Sequence, residues 1–267
     1  MCRALLLSIA GWLVVSYAAP AAAQETNEGF EPIFDGVQLG DWEGDPVYWR
    51  VEDGKLVGEV TPDTLLERNS WIIWRGGEVE DFELKLEYRV SAEGNSGVGY
   101  RCDEVPGTPY ALRGYQADIH GGNDWTGINY EERGRTFLAL RGMAVRVPPG
   151  ERPELRTVFA SEADLQRHVK KEDWNMYHII ARGNRLQHFL NGVLMSEVED
   201  DDPVNGRRKG LLGVQVHVGP PMTIEYRNIR LKRLAPDAET LAPVEEIPEL
   251  TFDNPSALKH LRDQARE

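Results

Sequence analysis

Cysteine is nearly absent from this 267-residue chain, which has only Cys2 and Cys102. Residues 1–23 have the form of a secretory signal peptide, with one arginine, a short apolar run and small residues that end at Ala23. Cleavage after Ala23 would leave Cys102 alone, so the mature chain can form no internal disulfide even in an oxidising compartment. We therefore predict a secreted or periplasmic protein that is held together by its hydrophobic core.

Long hydrophobic runs and an excess of basic charge are missing as well. The apolar run from Ala4 to Val15 is too short to span a bilayer, and no basic cluster follows it, so no membrane span is expected in the mature chain. The 44 acidic residues outnumber the 30 basic ones, which gives a net charge of −14. Because an acidic surface repels phosphate backbones, and no basic stripe with interleaved aromatics is present, nucleic acid is not expected as a partner.

Helical periodicity is scarce between residues 30 and 234, where strand patterns dominate. In residues 82–90, FELKLEYRV, apolar and charged residues alternate, as in a strand with one buried face. Asp53-Gly54 and Asn191-Gly192 each separate two strand-like runs and predict β-hairpins, because both pairs accept the positive φ angles of a type I′ turn. Many short strands with glycine-rich turns predict an all-β fold, a two-sheet antiparallel sandwich.

The chain is predicted to contain one domain with an appendage. Residues 29–234 would form the sandwich, and residues 161–169 within it predict a short helix capped by their first serine. Residues 235–267 form a tail rich in proline and glutamate. Near its end Asn254 and Pro255 are typical of the cap and first position of a short terminal helix.

Three side chains that can form hydrogen bonds or transfer protons share one face of the segment GYQADIH, residues 114–120. Because side chains alternate along a strand, Gln116, Asp118 and His120 point to one face while the tyrosine, alanine and isoleucine between them point to the other. An ordinary wet face more often carries lysine, glutamate and threonine. The segment therefore indicates a surface that holds a polar ligand.

Two further strands repeat this pattern. In residues 98–105 the alternation places Arg101 opposite an apolar face that would include Cys102. In residues 210–219 it places Gln215 and His217 opposite a row of apolar side chains. Glycines between these polar residues would leave room for a ligand on the same face.

Sugars fit this chemistry, because amides, carboxylates and guanidinium groups satisfy pairs of hydroxyls. Trp125, Tyr130 and Tyr110 lie in nearby segments and could stack on the apolar face of a sugar, although each aromatic ring could equally serve packing alone. An oligosaccharide or glycoside is the partner that the pattern favours. His178 and His188 have large apolar neighbours and are interpreted as structural histidines.

No cofactor is required by any motif in the chain. A divalent metal between Asp118 and the histidines His120 and His217 stays open as a hypothesis, but this set lacks the local spacing typical of metal ligands.

Six segments carry a resemblance to a known family. They are GFEPIFDGVQLGDWEG near the start, NSGVGYR at 95–101, GYQADI at 114–119, TGINYEERGR at 126–135, WNMYHIIARGNRLQHFLNG at 174–192 and GLLGVQVHVGPPMTIEYRNIRLKRL at 210–234. In this order they resemble the 3-keto-disaccharide hydrolase domain family over residues 29–234. The resemblance implies a concanavalin A-like jelly roll, an exported setting, and action on glycosides whose sugar carries a ketone at carbon 3.

The residues of the central strand suit such a substrate better than an ordinary glycoside. Related sandwich glucanases use a Glu-x-Asp-x-Glu frame, with acid and nucleophile about 5 to 5.5 Å apart. Here the frame reads Gln116-x-Asp118-x-His120, so both flanking acids are missing. A 3-keto sugar needs only a base to remove the acidified hydrogen on carbon 2, a group that stabilises the enolate, and at most one acid.

We assign hypothetical roles on this basis. Asp118 or His120 is the base, and Arg101 and His217 assist the enolate or the leaving group. Glu131 is the alternative acid.

The remaining candidates bind substrate. Gln116 and Gln215 hold hydroxyls, Arg135 clamps the substrate, and Tyr130 and Trp125 stack on it. Two other functions stay open: a non-catalytic carbohydrate-binding module, and an ordinary glycoside hydrolase whose second carboxylate would be Asp103 or Glu131.

Overall fold

The computed structural model describes residues 28–235, which form two packed β-sheets and one short helix, α1, Glu162–Gln166. In chain order the strands are β1 Glu31–Pro32, β2 Trp42–Glu43, β3 Trp49–Glu52, β4 Lys55–Val60, β5 Ser70–Val79, β6 Phe82–Val90, β7 Asn95–Glu104, β8 Leu112–His120, β9 Asn129–Glu132, β10 Thr136–Ala139, β11 Met143–Val147, β12 Glu154–Val158, β13 Asn175–Arg182, β14 Arg185–Leu190, β15 Val193–Asp200, β16 Gly210–Val216 and β17 Met222–Arg233. The predicted signal peptide and terminal helix lie outside the described residues.

The larger sheet has the order β12-β11-β15-β14-β13-β6-β17-β4-β3, with β1 paired to β17, and the smaller sheet has the order β10-β9-β8-β7-β16-β5-β2. All pairings are antiparallel except that of β11 with β15. The predicted all-β sandwich of jelly-roll type is confirmed, and the single parallel pair is the one departure from a fully antiparallel arrangement.

Local sequence signals place the turns and the helix as predicted. The pairs Asp53-Gly54 and Asn191-Gly192 both have positive φ angles and connect β3 to β4 and β14 to β15. Ser161 caps α1, because its hydroxyl oxygen accepts a hydrogen bond from the backbone N–H of Asp164 at 3.1 Å. The helix has only five residues, so it ends before the predicted residue 169.

The hydrophobic core fills the space between the two sheets. Alternate residues of the long strands point into it, as the pattern of residues 82–90 predicts. Its fully buried large members include Tyr88, Tyr100, Tyr115, Tyr177, Phe82, Leu56 and Ile72. Cys102 is buried and free, so the described part of the chain is stabilised by packing without a disulfide.

His188 lies in the centre of this core. Its Nε2 atom is 2.9 Å from the hydroxyl of Tyr100, and its Nδ1 atom is 3.1 Å from the carbonyl oxygen of Ile128. Burial lowers the pKa of His188 to about 3. The ring is therefore neutral in the folded protein, which agrees with its interpretation as a structural histidine.

We expect His188 to make the protein acid-labile. The unfolded chain binds a proton at this histidine near pH 6.5, whereas the folded chain binds it only near pH 3. Protonation therefore favours the unfolded chain, and the free energy of unfolding decreases as the pH falls below 6.5. Its share should be about 1.4 kcal/mol per pH unit between pH 6 and 4. Urea unfolding of the wild type and His188→Gln over this range measures the difference in slope.

The exposed His168 provides the matched control. His168→Gln should keep the wild-type pH dependence, whereas His188→Gln should have a shallower one. Equal slopes for the wild type and His188→Gln would contradict a proton linkage at His188.

A β-bulge changes the face on which Arg101 lies. The register of β7 with β8 shifts between Tyr100 and Asp103, and Arg101 has a φ of 49°. The bulge inserts an extra residue, so Cys102 points to the outer face of the smaller sheet and Arg101 points inward. The prediction that Arg101 lies on the polar face, with Cys102 opposite it, was wrong because strict alternation fails at a bulge.

Arg101 is fully buried, and its guanidinium group makes four hydrogen bonds. Nε donates to the carbonyl of Glu80 at 2.8 Å, Nη1 donates to the carbonyls of Gly183 and Arg207, and Nη2 donates to the carboxylate of Asp81. It ties the end of β7 to three other chain segments.

Within residues 28–235, no helix has the length and apolar character needed to cross a membrane.

Candidate functional site

The outer face of the smaller sheet, which points away from the core, carries the predicted polar strand. In the register of β8, Asp118 pairs with Gly97 and Gln116 pairs with Gly99. On the next strands, Gln215 of β16 pairs with Trp71 of β5. The alternation predicted for Gln116, Asp118 and Gln215 therefore holds, and it places three of the candidate residues on one surface.

Glycines on β7 let large side chains lie flat on this face. A Cβ atom added to Gly97 would be 2.5 Å from Cδ of Gln116, and one added to Gly99 would be 2.7 Å from the ring of Trp71. The space that the sequence assigned to a ligand is thus filled by the protein's own Gln116 and Trp71. The glycines hold these two side chains close to the sheet.

The two ends of the face fold toward each other. The backbone N–H of Trp71 donates to the carbonyl of Tyr110 at 2.9 Å. The connection between β7 and β8 therefore reaches β5, although β16 separates β7 from β5 in the sheet. Nδ2 of Asn69 is 3.4 Å from Oε1 of Glu132 on β9, although three strands separate β5 from β9. The face is therefore concave. We call the surface formed by Trp71, Gln116, Asp118, Glu132 and Gln215 the cup.

Asp118 is the residue of the cup best suited to act as a base. Its side chain is almost buried, and its Oδ1 accepts from the backbone N–H of Ile119 at 3.0 Å and from Nε2 of Gln116 at 3.5 Å. Burial raises the pKa of Asp118 to about 7, and the nearby charge of Glu132 adds to the rise. A carboxylate with this pKa is suited to abstract a proton near neutral pH.

Four buried polar atoms of the cup have no hydrogen-bond partner within the described residues 28–235. They are Nε1 of Trp71, Oε1 of Gln116, and Oε1 and Nε2 of Gln215. Buried polar atoms in proteins are almost always paired, and leaving one unpaired costs about 1–3 kcal/mol. Two free donors and two free acceptors beside one buried carboxyl group fit a ligand with several oxygen atoms.

Glu132, and not its neighbour Glu131, belongs to the cup. Tyr130 of β9 pairs with Gln116, so Tyr130 and Glu132 share the outer face while Glu131 points inward. Burial raises the pKa of Glu132, so a larger share of this side chain is protonated than for an exposed glutamate. Glu132 was not predicted from the sequence, because the register of β9 with β8 decides which of the two adjacent glutamates faces the cup.

Glu131 and Arg135 form a network on the inner side. Oε2 of Glu131 accepts from the backbone N–H of Arg135 at 2.9 Å, and the guanidinium group of Arg135 donates to both carboxylate oxygens of Asp200, at 3.1 and 2.6 Å. Asp200 is fully buried. The structure does not bring Glu131 or Arg135 to the cup.

The two candidate histidines lie at the rim. His120 ends β8, and its Nδ1 accepts from the backbone N–H of Asp124 at 3.2 Å. His217 follows β16 and precedes Val218, whose backbone N–H donates to the side chain of Asn69 beside Glu132. Among residues 28–235, no group of three histidine, cysteine, aspartate or glutamate side chains is arranged to hold a metal ion.

Aromatic rings border the cup beyond β8. The ring of Phe137 lies 5.2 Å from that of Tyr130 and 5.3 Å from that of Trp125, between centroids. Tyr130 lies beside Gln116 of the cup, Trp125 is connected to Tyr130 through Phe137, and both are partly buried. Their stacking on a sugar stays a prediction. Phe137 joins them because it pairs with Tyr130 across β9 and β10.

A two-sheet jelly roll with a polar, concave outer face is the class of protein that the fold and the cup define. The chain belongs to the 3-keto-alpha-glucoside-1,2-lyase-like domain family, whose sequence profile matches residues 29–232. The resemblance found in the sequence is thereby confirmed. The name of the family refers to a lyase for 3-keto-alpha-glucosides.

Individual proteins that resemble this chain have low sequence identity to it. A 3-keto-disaccharide hydrolase from Bacteroides thetaiotaomicron is 31% identical over 108 residues, which cover 35% of this chain and 37% of that protein. The match thus spans little more than a third of the relative's length. Two crystal structures of proteins provisionally described as glycosyl hydrolases, from Parabacteroides distasonis, are each 20% identical, with TM-scores of 0.52 and 0.51. They cover 78% and 77% of this chain, and 95% and 99% of their own chains, and share its fold.

Proposed function

We propose that this protein cleaves glycosides of 3-keto sugars by elimination followed by addition of water. The observation that carries the proposal is the carboxyl group of Asp118, buried in the cup with a pKa near neutrality, beside amide and indole groups that lack partners. The family and the Bacteroides relative supply the substrate class. The geometry supports one base with hydrogen-bond donors, which is what a 3-keto sugar requires.

In the first step the carboxylate of Asp118 removes the hydrogen on carbon 2. The electron pair of that C–H bond forms the double bond between carbons 2 and 3, and the ketone oxygen becomes an enolate oxygen. Nε1 of Trp71 and Nε2 of Gln215 are the free donors that would stabilise this negative charge. Gln116 would accept a hydroxyl hydrogen with its free Oε1.

In the second step the enolate returns its electron pair and expels the oxygen on carbon 1. The C1–O bond breaks, a double bond forms between carbons 1 and 2, and the leaving oxygen takes a proton from Glu132. Burial favours the protonated form of Glu132. Water then adds to carbon 1 and gives up a proton to the Glu132 carboxylate, while Asp118, having exchanged its proton with the solvent, delivers a proton to carbon 2. Both carboxyl groups return to their starting states, and the net reaction is hydrolysis. This scheme uses Glu132 in place of Glu131, and gives no step to Arg101.

An ordinary glycoside hydrolase is the second candidate. Asp118 and Glu132 are two carboxyl groups on one concave face, and the pKa of Asp118 is raised by burial and further by the charge of Glu132. Such an enzyme would cleave unoxidised glycosides. A third reading, a non-catalytic binding module, would use the same unpaired amides and leave its ligand intact.

We expect the purified protein to release sugar from a 3-keto disaccharide and to leave the unoxidised parent intact. The measurement is mass spectrometry of the products in D₂O, with and without chelator and against a control without enzyme. Elimination and addition of water place deuterium on carbon 2, whereas direct hydrolysis does not. Cleavage of the parent would favour the ordinary hydrolase, and intact compounds with measurable binding would favour the binding module. Loss of cleavage with chelator would indicate a metal requirement.

We also propose that the protein is exported after its signal peptide is cleaved. Residues 1–23 have the form of a signal peptide, and the expected mature chain begins at Gln24. The intact mass of the protein recovered from the producing cells would reveal this start. A mass that includes residues 1–23 would contradict export by cleavage.

A further inference from the structure

A cavity lies beside the cup, at the start of β5. It has a volume of about 440 Å³, within the usual size range of small-molecule sites. Tyr48, Leu65 and Tyr110 line it with two tyrosines and a leucine, and Glu67 and Arg68 contribute charged groups. We call this cavity the groove.

The groove and the cup share their walls. Asn69 lines the groove, and its Nδ2 is bonded to Glu132 of the cup while its Oδ1 accepts from the backbone N–H of Val218. Tyr110 also lines the groove, and its carbonyl oxygen accepts from the backbone N–H of Trp71 in the cup. A molecule that extends out of the cup past Glu132 would therefore enter the groove.

The lining has the chemistry of a sugar site. Tyrosine rings and leucine pack on the C–H face of a pyranose, while carboxylate and guanidinium groups bond its hydroxyls. Leu65 is 54% exposed, so its side chain is accessible to a ligand in the groove. Tyr110 has a φ of 53°, a left-handed conformation that costs energy for a bulky residue and is often found at ligand sites.

We propose that the groove binds the leaving-group sugar of the substrate and so selects disaccharides over glycosides of small alcohols. The inference rests on the proposed function, because it assigns the 3-keto ring to the cup and the second ring to the groove. The observation behind this inference is that Asn69 and Tyr110 line the groove and are hydrogen-bonded to residues of the cup. Leu65 and Tyr110 are then specificity-determining residues, outside the bond-breaking chemistry.

The test compares two substrates in three variants. Leu65→Asp replaces an exposed apolar side chain by a charged one, and Tyr110→Asn removes the ring but keeps a residue type that accepts positive φ. Val204→Asp is the matched control, because Val204 is 85% exposed and does not line the groove. The kcat/KM values are measured for a 3-keto disaccharide and for the methyl glycoside of the same 3-keto sugar.

We expect the ratio of the two kcat/KM values, disaccharide over methyl glycoside, to fall at least tenfold in Leu65→Asp and Tyr110→Asn. The fall should be mainly in KM for the disaccharide. Val204→Asp should keep the wild-type ratio. An unchanged ratio in both groove variants, or equal losses on both substrates, would overturn the groove as a leaving-group site while the proposed function stands.

Failure of the proposed function has a different signature. The wild type would then cleave neither keto compound. In that case the unoxidised disaccharide is titrated into the wild type and Tyr110→Asn, and binding is followed by NMR. Weaker binding to Tyr110→Asn would support a sugar site in the groove, and equal binding would overturn it.

Discussion

Asp118→Asn is expected to lower kcat/KM for a 3-keto disaccharide by about a thousandfold, the middle of the range for loss of a general acid or base. Asparagine has nearly the same shape as aspartate, but it cannot accept the hydrogen of carbon 2. His120→Asn should lose far less, because Nδ1 of His120 is already engaged by the backbone N–H of Asp124. The measurement is steady-state kinetics of both variants, with Asp53→Asn as the matched control in an exposed turn.

The pH dependence of the wild type should follow the same residue. Because the pKa of Asp118 is about 7, kcat/KM should fall about tenfold per pH unit as Asp118 becomes protonated below pH 7. A full rate in Asp118→Asn, with the loss appearing in His120→Asn, would transfer the role of base to His120.

Stability should change in the opposite direction to activity. A carboxyl group whose folded pKa is raised from 3.8 to about 7 stabilises the fold below pH 4, and this stabilisation is lost as the pH rises through 7. Asp118→Asn removes the cost of burying the ionised form. Above pH 7 the variant should therefore be at least as stable as the wild type in urea unfolding, and a marked loss of stability would mean that the ionised carboxylate supports the fold.

Arg101→Met is expected to destabilise the protein by about 3–5 kcal/mol, the usual cost of removing one partner from a buried ion pair. The substitution leaves the carbonyl oxygens of Glu80, Gly183 and Arg207 without the guanidinium donor. The midpoint of thermal unfolding should fall by about 10 °C or more. Calorimetry or circular dichroism measures this shift.

Arg113→Met is the matched control, because the side chain of Arg113 is half exposed and makes one long ion pair, 3.5 Å from Asp103. It should change the midpoint by less than about 3 °C. The folded fraction of Arg101→Met should also keep its KM for the keto substrate, since Arg101 points away from the cup. A stable Arg101→Met protein with a hundredfold lower kcat would instead place Arg101 in the chemistry.

Alternation of side chains predicted the correct face for most of the polar residues in the smaller sheet, but not for all. Gln116, Asp118 and Gln215 were predicted on one face and lie there, because β8 and β16 are regular where these residues stand. Arg101 was predicted on the same face and lies inside, because the register shift after Tyr100 breaks the period of two. A bulge of one residue carries no strong signal in the sequence, so the error was local.

The acidic residues of β9 illustrate a different limit. The segment YEER offers two adjacent glutamates, and sequence alone does not fix which one faces the substrate. The pairing of Tyr130 with Gln116 assigns Glu132 to the cup and sends Glu131 to Arg135. Register between strands depends on contacts far apart in the chain, which a local pattern does not contain.

The sequence by itself determined the all-β class, the hairpin turns, the family and the polar face of β8, because period-two alternation, turn residues and ordered motifs are local properties. Only the tertiary structure decided which carboxyl groups are buried, that Trp71 and Gln215 keep unpaired atoms, and that a groove adjoins the cup. These features arise where the sheet curves and distant segments such as Asn69 and Glu132 meet. The pKa of Asp118 follows from that burial, since the same carboxyl group in water would titrate near 3.8.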